Sequence, residues 1–534
     1  MTTAFDRRHF IGGVGALAAL GVGSALAGCA PTQPQTAALS ETGDGEPPVS
    51  VDEEMECDIA IIGSGASGLA ACVEAGDLGL STLCIESQSS TGGNIRFVEG
   101  CFAVDSSMQK AENIEVSAGM LVGQEMYQGQ YRVSGVGYND MVHRSGENLD
   151  WLVEHGVLFG QVDTDLGTER VFHRFQTGNG AESYVPQMTE AAEKAGVQFL
   201  FDTHADRLVQ DADGSVTGVI ATRGDGTVVQ VNARAVVIAT GSYMNNEQYM
   251  LDLGLEPENM DYIGLPGHDG AGHDMAVACG ARSFRGSSAP LGAMKVPGLP
   301  GKFDDGKFFY IGFKTPYSIW VNENGERFVA EDCAATNFCL MQMPCLENKS
   351  TYVLLDEALM ETFISSNASA NIDAAKAAQT GKDPVQAARD ELADGIAQGV
   401  IFKGNTLADV ATQAGMRAEI LEQTVQGYNE CAASKIDNDF GKAADNLIPF
   451  GEGPYYAVKL VNEILAVCGS LKTDRNFNVV NTEGAPIEGL YAVGIEGSML
   501  WANVYTINIS GACNANSVNS GRVAVQHAVK TRIS

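Results

Sequence analysis

The chain has 534 residues, of which 45% are hydrophobic and 19% charged, as in globular proteins with roughly two to four domains. Its 67 acidic and 33 basic residues give a formal net charge of −34, which argues against nucleic acid or an anionic membrane surface as a partner. The 12 cysteines include no CxxC pair and no CxxCH site, and the eight histidines form no HExxH motif. The sequence therefore predicts neither a haem domain nor a catalytic metal.

The first 29 residues have the features of an export signal. Arg7 and Arg8 form a twin-arginine start, and Ile11–Ala27 is a Gly/Ala-rich apolar stretch, shorter and milder than a typical membrane-spanning helix. Residues 26–29, LAGC, look like the lipobox of bacterial lipoproteins, so we expect a lipid-anchored protein on the cell surface or periplasmic face. Cleavage nearby by the ordinary signal peptidase is the alternative. Residues 30–55, rich in Pro, Thr, Gln, Glu and Gly, predict a disordered tether.

A glycine-rich turn follows the first predicted strand, Asp58–Ile62. Gly63 suits a tight turn, and Gly65 lets the backbone approach a pyrophosphate at the start of the next helix. Gly68 lets that helix pack closely on the strand. The order of strand, turn and helix predicts a dinucleotide-binding site.

An acidic residue follows the second predicted strand, Leu83–Ile85. This residue, Glu86, is placed to accept hydrogen bonds from the ribose hydroxyls of an adenosine. The loop then continues through Thr91, Gly92, Gly93 and Asn94, a small turn that suits a flavin lying across the sheet edge. The sequence therefore favours FAD over NAD as the cofactor.

Further strands and turns return to the same predicted site. Ala205–Gln210 and Val216–Thr222 predict a hairpin, and Ala235–Ala239 predicts a strand that runs into a Thr-Gly-Ser turn. Gly489–Gly494 again predicts a strand ending at a glycine, and a final helix begins after Ser510 and Gly511. The predicted cofactor-binding residues are Gly63, Gly65, Ala66, Ser67, Gly68, Glu86, Ser87, Gly92, Gly93, Asn94, Ala205, Gly241, Glu496, Ser510 and Gly511.

The resulting fold prediction is an α/β protein with a Rossmann-like FAD-binding domain of the glutathione-reductase type, split by an α/β capping domain. The FAD-binding domain comprises residues 56–289 and 468–534, and the cap comprises residues 290–467. Additional helices are predicted over Ser145–Val157, Gly180–Gly196, Pro384–Gln398 and Leu407–Ala432.

These motifs in this order resemble the flavoprotein family of fumarate reductases and succinate dehydrogenases, which also holds urocanate reductases and 3-ketosteroid dehydrogenases. The similarity covers nearly all of residues 56–534. It is carried by IIGSGASGLAA (61–71), STGGN (90–94), SGENLDWLVEHGV (145–157), ADRLVQDADGSVTGV (205–219), AVVIATGSY (235–243), SIWVNENGERFVAED (318–332), DNDFGK (437–442), PYYAV (454–458), GLYAVG (489–494) and SGR (520–522).

The resemblance implies hydride transfer between flavin N5 and a carbon of an activated double bond. In covalent members of the family a histidine just after the GGN turn carries the flavin, and Asn94–Gly100 contains none. We therefore expect FAD to be bound without a covalent link. The resemblance also implies that the last helix points its N-terminus at the pyrimidine edge of the flavin, where its dipole stabilises negative charge.

The chain departs from the family at the positions that bind and protonate a dicarboxylate. The proton-donating arginine is replaced by Ala335, and a relay arginine is replaced by Lys314. A carboxylate-binding histidine falls on Ala466, and a second substrate arginine falls near Asn508. Because two carboxylates buried without cationic partners cost many kcal/mol, fumarate and succinate are not expected as substrates.

Three residues are candidates for the missing catalytic acid. Tyr505 lies close to the flavin-closing turn, whereas Tyr317, together with Lys314, lies on the predicted cap. Arg327 and Glu331 are predicted to form a structural pair at the cap hinge rather than to act in catalysis.

The main functional hypothesis is an exported flavin-dependent reductase of a small, non-dicarboxylate molecule, neutral or weakly charged and including aromatic or enone-like compounds. No second GxGxxG follows residue 100, so electrons are expected from a membrane quinol-oxidising protein or a separate haem or FMN protein. The alternatives are an FAD-dependent ketone dehydrogenase and a flavin- or ligand-binding lipoprotein without catalysis.

Overall fold

The computed structural model describes residues 50–534 except 166, 288, 302–307, 310–314, 334–337, 371–380, 382, 503, 507, 508 and 534. The predicted export signal, most of the predicted tether and the candidate Lys314 lie outside the described residues. Residues 51–534 form one unit. Among the described helices, none combines the length and the apolar character needed to cross a membrane.

In the described part of the chain, seventeen strands form three sheets. In chain order they are β1 (Glu53–Ile62), β2 (Thr82–Ile85), β3 (Gly100–Phe102), β4 (Phe159–Asp163), β5 (Phe172–Phe175), β6 (Gln198–Leu200), β7 (Thr203–Gln210), β8 (Val216–Arg223), β9 (Val228–Ile238), β10 (Met260–Tyr262), β11 (Ala289–Lys295), β12 (Ile319–Asn322), β13 (Thr351–Asp356), β14 (Ile401–Gly404), β15 (Tyr455–Cys468), β16 (Asn478–Val480) and β17 (Pro486–Ala492).

The described helices alternate with these strands. The α-helices are Ala66–Asp77, Ser107–Ala111, Ala118–Gln128, Gly135–Glu154, Gly180–Ser183, Val185–Lys194, Glu247–Asp252, Ala271–Ala278, Phe338–Leu346, Glu357–Ala370, Pro384–Ala397, Leu407–Ala414, Ala418–Ser434 and Ala512–Ala528. Short 3-10 helices are Gly93–Phe97, Pro257–Asn259, Arg285–Ser287 and Ala444–Asn446, and Val529–Ile533 is a π-helix.

The largest sheet has eight strands, and its main path runs in the order β16-β17-β9-β1-β2-β6. From β17 to β6 the neighbouring strands are parallel, while the β7–β8 hairpin joins through an antiparallel pairing of β8 with β9. The apolar residues Ile59–Ile62 are fully buried, as expected for a parallel sheet covered on both faces. The mixed α/β prediction is confirmed.

The first strand is longer than the sequence predicts. It begins at Glu53, and Glu53–Met55 pair with Val229–Val231 of β9. The sequence places these three residues at the end of the predicted tether, a segment rich in Pro, Thr, Gln, Glu and Gly. The pairing with an established strand outweighs that composition, so the ordered sheet starts inside the predicted tether.

The first and last helices, Ala66–Asp77 and Ala512–Ala528, pack against each other in close contact. A Cβ on Gly521 would lie 2.5 Å from the carbonyl oxygen of Ser67, and a Cβ on Gly68 would collide with the carbonyl oxygen of Gly63. The buried guanidinium of Arg522 donates to Glu74 at 2.7 Å across this contact. Glycine at these positions therefore permits a helix–helix and helix–strand approach that no larger residue allows.

The second sheet has six strands, in the order β10-β15-β13-β12, with β11 and β14 also paired with β15. The third sheet has the order β3-β5-β4. The second sheet takes its strands from residues 260–468, and the division into a FAD-binding domain and a cap at residues 290 and 467 remains a prediction.

The predicted helix Leu407–Ala432 is interrupted because Gly415 ends its first part in a left-handed conformation, with φ of 75°. The predicted helix Gly180–Gly196 is interrupted at Tyr184.

A buried ion network supports the second sheet. Arg327 donates to both carboxylate oxygens of Glu331, at 2.7 and 2.9 Å, and to Asp437 at 2.8 Å. The ammonium of Lys442 lies 3.3 Å from Glu331 and donates to the carbonyl oxygen of Ser318. Because each carboxylate is matched by a cation inside the protein, the Arg327–Glu331 pair has the structural role that the sequence predicts.

Replacing Arg522 by glutamine should lower the free energy of unfolding by about 3 kcal/mol, because the buried Glu74 carboxylate loses its cationic partner. Urea denaturation followed by tryptophan fluorescence measures the change. Lys194→Gln is the control, because its pair with Glu190 is largely exposed. Equal stability of Arg522→Gln and Lys194→Gln would contradict the role assigned to the pair.

Candidate cofactor and active site

A cavity of about 350 Å³ opens at the carboxyl ends of β1, β2 and β9. This is the position at which open parallel sheets bind nucleotides. The chain reaches it from four distant parts of the sequence. The lining residues are Ile62–Ser67, Ile85–Gln88, Gly93–Ile95, Val98, Thr203–Ala205, Ala239–Gly241, Leu265–Asp269, Ala271, Met275, Leu291, Leu465, Ala466, Ile495, Cys513, Asn514 and Ser517.

The glycine turn after β1 leaves the start of the first helix open to this cavity. Gly63 has a φ of 98°, and a Cβ there would lie 2.6 Å from the carbonyl oxygen of Ala239. The helix begins after Gly65, and no side chain caps it. Its first backbone N–H groups and its dipole therefore remain available to a negatively charged group, such as a pyrophosphate.

Glu86 lies at the end of β2 and is 8% exposed. Its Oε2 atom accepts hydrogen bonds from the backbone N–H of Ser64 at 2.8 Å and from the Ser64 hydroxyl at 2.6 Å. Its Oε1 atom accepts from the backbone N–H of Gln88 at 2.9 Å. The carboxylate is thus fixed beside the glycine turn, where the sequence predicts a partner for ribose hydroxyls.

Two histidines line the cavity, His204 at the start of β7 and His268 in the loop Leu265–Asp269. Hydrogen bonding to Asp269 raises the pKa of the half-exposed His204 to about 9. Burial lowers the pKa of His268, whose Nδ1 accepts a hydrogen bond from the backbone N–H of Ser242 at 3.3 Å. Near neutral pH His204 is therefore charged, whereas His268 is neutral.

The last helix presents its N-terminal turn to the opposite end of the cavity. It begins after Gly511, which has a φ of 81° and provides no side-chain cap. Asn514 lines the cavity, and its Nδ2 donates to the carbonyl oxygen of Gly100 at 3.1 Å. Its buried Oδ1 has no hydrogen-bond partner among the described residues. An orphaned acceptor and a free helix N-terminus fit a bound ring system with N–H groups and developing negative charge.

The cavity brings together most of the predicted cofactor-binding residues. Gly68 and Gly92 lie behind the lining, where Gly68 contacts Gly63 and the backbone N–H of Gly92 donates to the carbonyl oxygen of Ser64. Ser510 and Gly511 precede the last helix and are not part of the lining either. The predicted residues that line the cavity are Gly63, Gly65, Ala66, Ser67, Glu86, Ser87, Gly93, Asn94, Ala205 and Gly241.

Glu496 lies one residue beyond the lining, which includes Ile495 instead. The Glu496 carboxylate is buried and accepts a hydrogen bond from the Thr240 hydroxyl at 2.6 Å. Burial raises its pKa to about 7. The structure therefore places this acid beneath the cavity wall, with Thr240 between it and the cavity.

Part of the cavity lining is apolar. Leu291, Leu465 and Ala466 line it, and Ala466 occupies the position at which related dicarboxylate reductases are expected to have a histidine. Among the described lining residues there is no Arg and no Lys. The described walls thus offer no Arg or Lys to a dicarboxylate, and the charged His204 already lies beside the carboxylates of Asp206 and Asp269.

The two candidate tyrosines lie in different cores. Tyr505 is 7% exposed, lies in the core around the first and last helices, and stacks on Trp501 with ring centroids 4.7 Å apart. Burial raises the pKa of Tyr505 far above its usual value, so its hydroxyl keeps its proton. Tyr317 packs against the core of the second sheet, and its carbonyl oxygen accepts from Tyr428. Neither tyrosine is part of the described cavity lining.

A buried polar cluster beside Tyr505 was not predicted. The Glu125 carboxylate, 1% exposed, accepts hydrogen bonds from Tyr138 at 3.3 Å and from Thr506. In the sequence, Glu125 looks like any polar residue of the helix Ala118–Gln128. Its contact with Thr506 is far away in the sequence, so no local pattern predicts that Glu125 is buried. The loop Leu265–Asp269 was also missed, because it carries no recognisable motif.

Comparisons with known proteins agree with this site. The family model described as "FAD binding domain" matches residues 58–503. Vinyl phenol reductase of Lactiplantibacillus plantarum is 30% identical over 479 residues, which are 89% of this chain and 96% of that protein.

Two solved structures share the fold. A flavocytochrome c3 fumarate reductase in an open conformation has a TM-score of 0.65 at 20% identity, covering 90% of this chain and 80% of the other. The 3-ketosteroid-Δ4-(5α)-dehydrogenase of Rhodococcus jostii RHA1 has a TM-score of 0.64 at 22% identity, covering 90% and 97%.

The glycine turn, the fixed acid after β2 and the two uncapped helix ends fit FAD, and the family match over residues 58–503 covers the turn, the acid and the first of these helix ends. The protein belongs to the FAD binding domain family and is an FAD-dependent oxidoreductase acting on CH–CH groups.

Proposed function

We propose that this protein reduces the activated carbon–carbon double bond of a small neutral or weakly charged molecule, of the aromatic or enone-like class. The observation that carries the proposal is the apolar part of the described cavity lining, together with the lack of Arg and Lys among the described lining residues. The similarity to a vinyl phenol reductase over nearly the full length of both chains supports it, because a vinyl phenol is neutral and aromatic. When bound, FAD supplies the hydride at N5.

The residues of the chain contribute orientation and a proton. Leu291, Leu465 and Ala466 provide an apolar surface for the body of the substrate and exclude water from it. We propose Tyr505 as the proton donor because it lies shortly before the last helix in the sequence; it lies outside the described cavity lining, so this assignment rests on its place in the sequence and is tested below. The uncapped end of the last helix stabilises negative charge at the far end of the cavity.

The substrate class is tested by anaerobic stopped-flow reoxidation of the photoreduced protein. We expect 4-vinylphenol or an enone such as cyclohexenone to reoxidise it rapidly, and fumarate to do so at least about a hundredfold more slowly, because two buried carboxylates lack cationic partners. Fumarate that reacts as fast as the best neutral alkene would contradict the proposed substrate class. Oxidation of a saturated ketone with an artificial dye, without alkene reduction, would support the ketone dehydrogenase alternative.

Replacing Tyr505 by phenylalanine should lower the rate of alkene reduction by about a hundredfold or more, since a positioned acid typically contributes that much. The measurement is the same reoxidation assay, with the flavin absorbance as a check on cofactor content. Tyr491→Phe is a matched control, because Tyr491 is equally buried but hydrogen-bonds His527 at 3.0 Å. If Tyr317→Phe rather than Tyr505→Phe removes the activity, the proton donor is Tyr317, which packs against the core of the second sheet.

We further propose that the protein is exported and lipid-anchored through Cys29, and that its electrons come from a membrane quinol-oxidising protein or a separate haem or FMN protein. The support is the twin-arginine start, the LAGC segment and the lack of a second GxGxxG after residue 100. Cys29→Ser should release the protein from the membrane fraction. The double variant Arg7→Lys, Arg8→Lys should block export and keep the protein inside the cell. Unchanged fractionation of Cys29→Ser would favour ordinary signal cleavage.

A further inference from the structure

A second cavity, of about 340 Å³, lies on the other side of the last helix from the cofactor cavity. Cys513, Asn514 and Ser517 of this helix line the cofactor cavity, whereas Asn516, Asn519 and Val523 line the second one. The two cavities therefore share one helix as a wall. The second cavity has a volume in the range of small-molecule sites.

Two partly buried cations line the second cavity without acidic partners. Among the described residues, neither Arg144 nor Lys472 has a carboxylate oxygen within 4.0 Å. Arg144 donates only to the neutral Gln526, at 3.1 Å, and the Lys472 ammonium lies 5.4 Å from the centre of the Phe284 ring. Burial lowers the pKa of both groups. In a chain with 67 acidic and 33 basic residues, two unmatched cations at one cavity are unusual.

The acidic residues of the same cavity are already engaged. Asp140 receives both arms of the Arg475 guanidinium, at 3.0 to 3.2 Å. Asp474 accepts from the backbone N–H groups of Asn476 and Asn478, and from the Asn478 side chain at 2.9 Å. The three cations of the lining, Arg144, Lys472 and Arg475, outnumber its two carboxylates by one, and neither Arg144 nor Lys472 has a carboxylate in direct contact within the described part of the chain. Glu147, Glu74 and Asp140 act on Arg144 from beyond direct contact.

The cavity also offers a buried hydrogen-bond donor and an apolar surface. Asn519 is 3% exposed, and its Oδ1 accepts from Asn148 at 3.3 Å, while its Nδ2 has no partner in the described part of the chain. Val136, Phe477 and Leu500 line the remaining wall. An inorganic ion would satisfy the cations and leave this apolar surface uncovered.

We propose that this cavity is a binding site for a small organic carboxylate, separate from the cofactor cavity. Arg144 and Lys472 hold the carboxylate, Asn519 donates a further hydrogen bond, and the apolar body of the ligand packs on Phe477 and its neighbours. A ligand in this cavity contacts the last helix, whose N-terminal turn also lines the cofactor cavity.

The proposal is tested by isothermal titration calorimetry of the FAD-loaded protein with benzoate. Benzoate should bind, whereas its neutral counterpart benzamide should bind at least tenfold more weakly. Lys472→Gln and Arg144→Gln should each weaken benzoate binding by about tenfold or more, because each removes a charge-assisted contact. Lys110→Gln, at an exposed lysine remote from the cavity in sequence, is the matched control and should bind as the wild type does.

Two outcomes of these titrations would overturn the proposal. Unchanged benzoate affinity in Lys472→Gln would place the binding site elsewhere, including the cofactor cavity. Inorganic phosphate that binds as tightly as benzoate would show that the apolar wall takes no part. An unchanged flavin absorbance spectrum in both variants confirms that they are folded and loaded, so a loss of binding reports on the cavity itself.

Discussion

Close packing of the first helix between β1 and the last helix is the constraint on which the rest of the structure depends. Gly68 allows the first helix to approach the turn at Gly63, and Gly521 allows the last helix to approach Ser67. The buried Arg522–Glu74 pair joins the two helices across this contact. Because the N-termini of both helices face the same cavity, any loosening of this contact would move two anion-attracting N-termini relative to each other.

The cofactor site of this acidic protein relies on backbone groups rather than on charged side chains. The described cavity lining has no Arg and no Lys, so the uncapped helix starts after Gly65 and Gly511 are available to the negative charge of a dinucleotide. The lack of Arg and Lys distinguishes this lining from that of the second cavity, where Arg144 and Lys472 lie on the far side of the last helix. The last helix thus separates a cavity whose described lining has no Arg or Lys from a cavity lined by Arg144 and Lys472.

Much of the fold and of the cofactor site could be predicted because each element depends on local residues at fixed spacing. Gly63, Gly65 and Glu86 follow directly from the strand–turn–helix order, and Ala205 and Gly241 follow from strand ends that return to the same sheet edge. The prediction for Glu496 differs by one residue from the lining, because the sequence does not show which of two neighbours faces inward. The strand pairing of Glu53–Met55 depends on residues far along the chain.

The polar cluster of Glu125, Tyr138 and Thr506 could not be predicted for a similar reason. Its members are separated by up to 381 positions, and each looks unremarkable in its own segment. The breaks in the predicted helices are local, but they need knowledge of the backbone conformation at Gly415 and Tyr184. Patterns of neighbouring residues thus locate the nucleotide site, whereas the buried polar cluster depends on tertiary contacts.

The position of the last helix has a consequence for how the pocket is completed. Cys513, Asn514 and Ser517 form a wall of the same pocket as the turn at Gly63, far away in the sequence. Enclosure of the yellow nucleotide therefore requires both segments to be folded and docked. A truncated product lacking its carboxyl end would have an open-sided groove in place of the enclosed pocket.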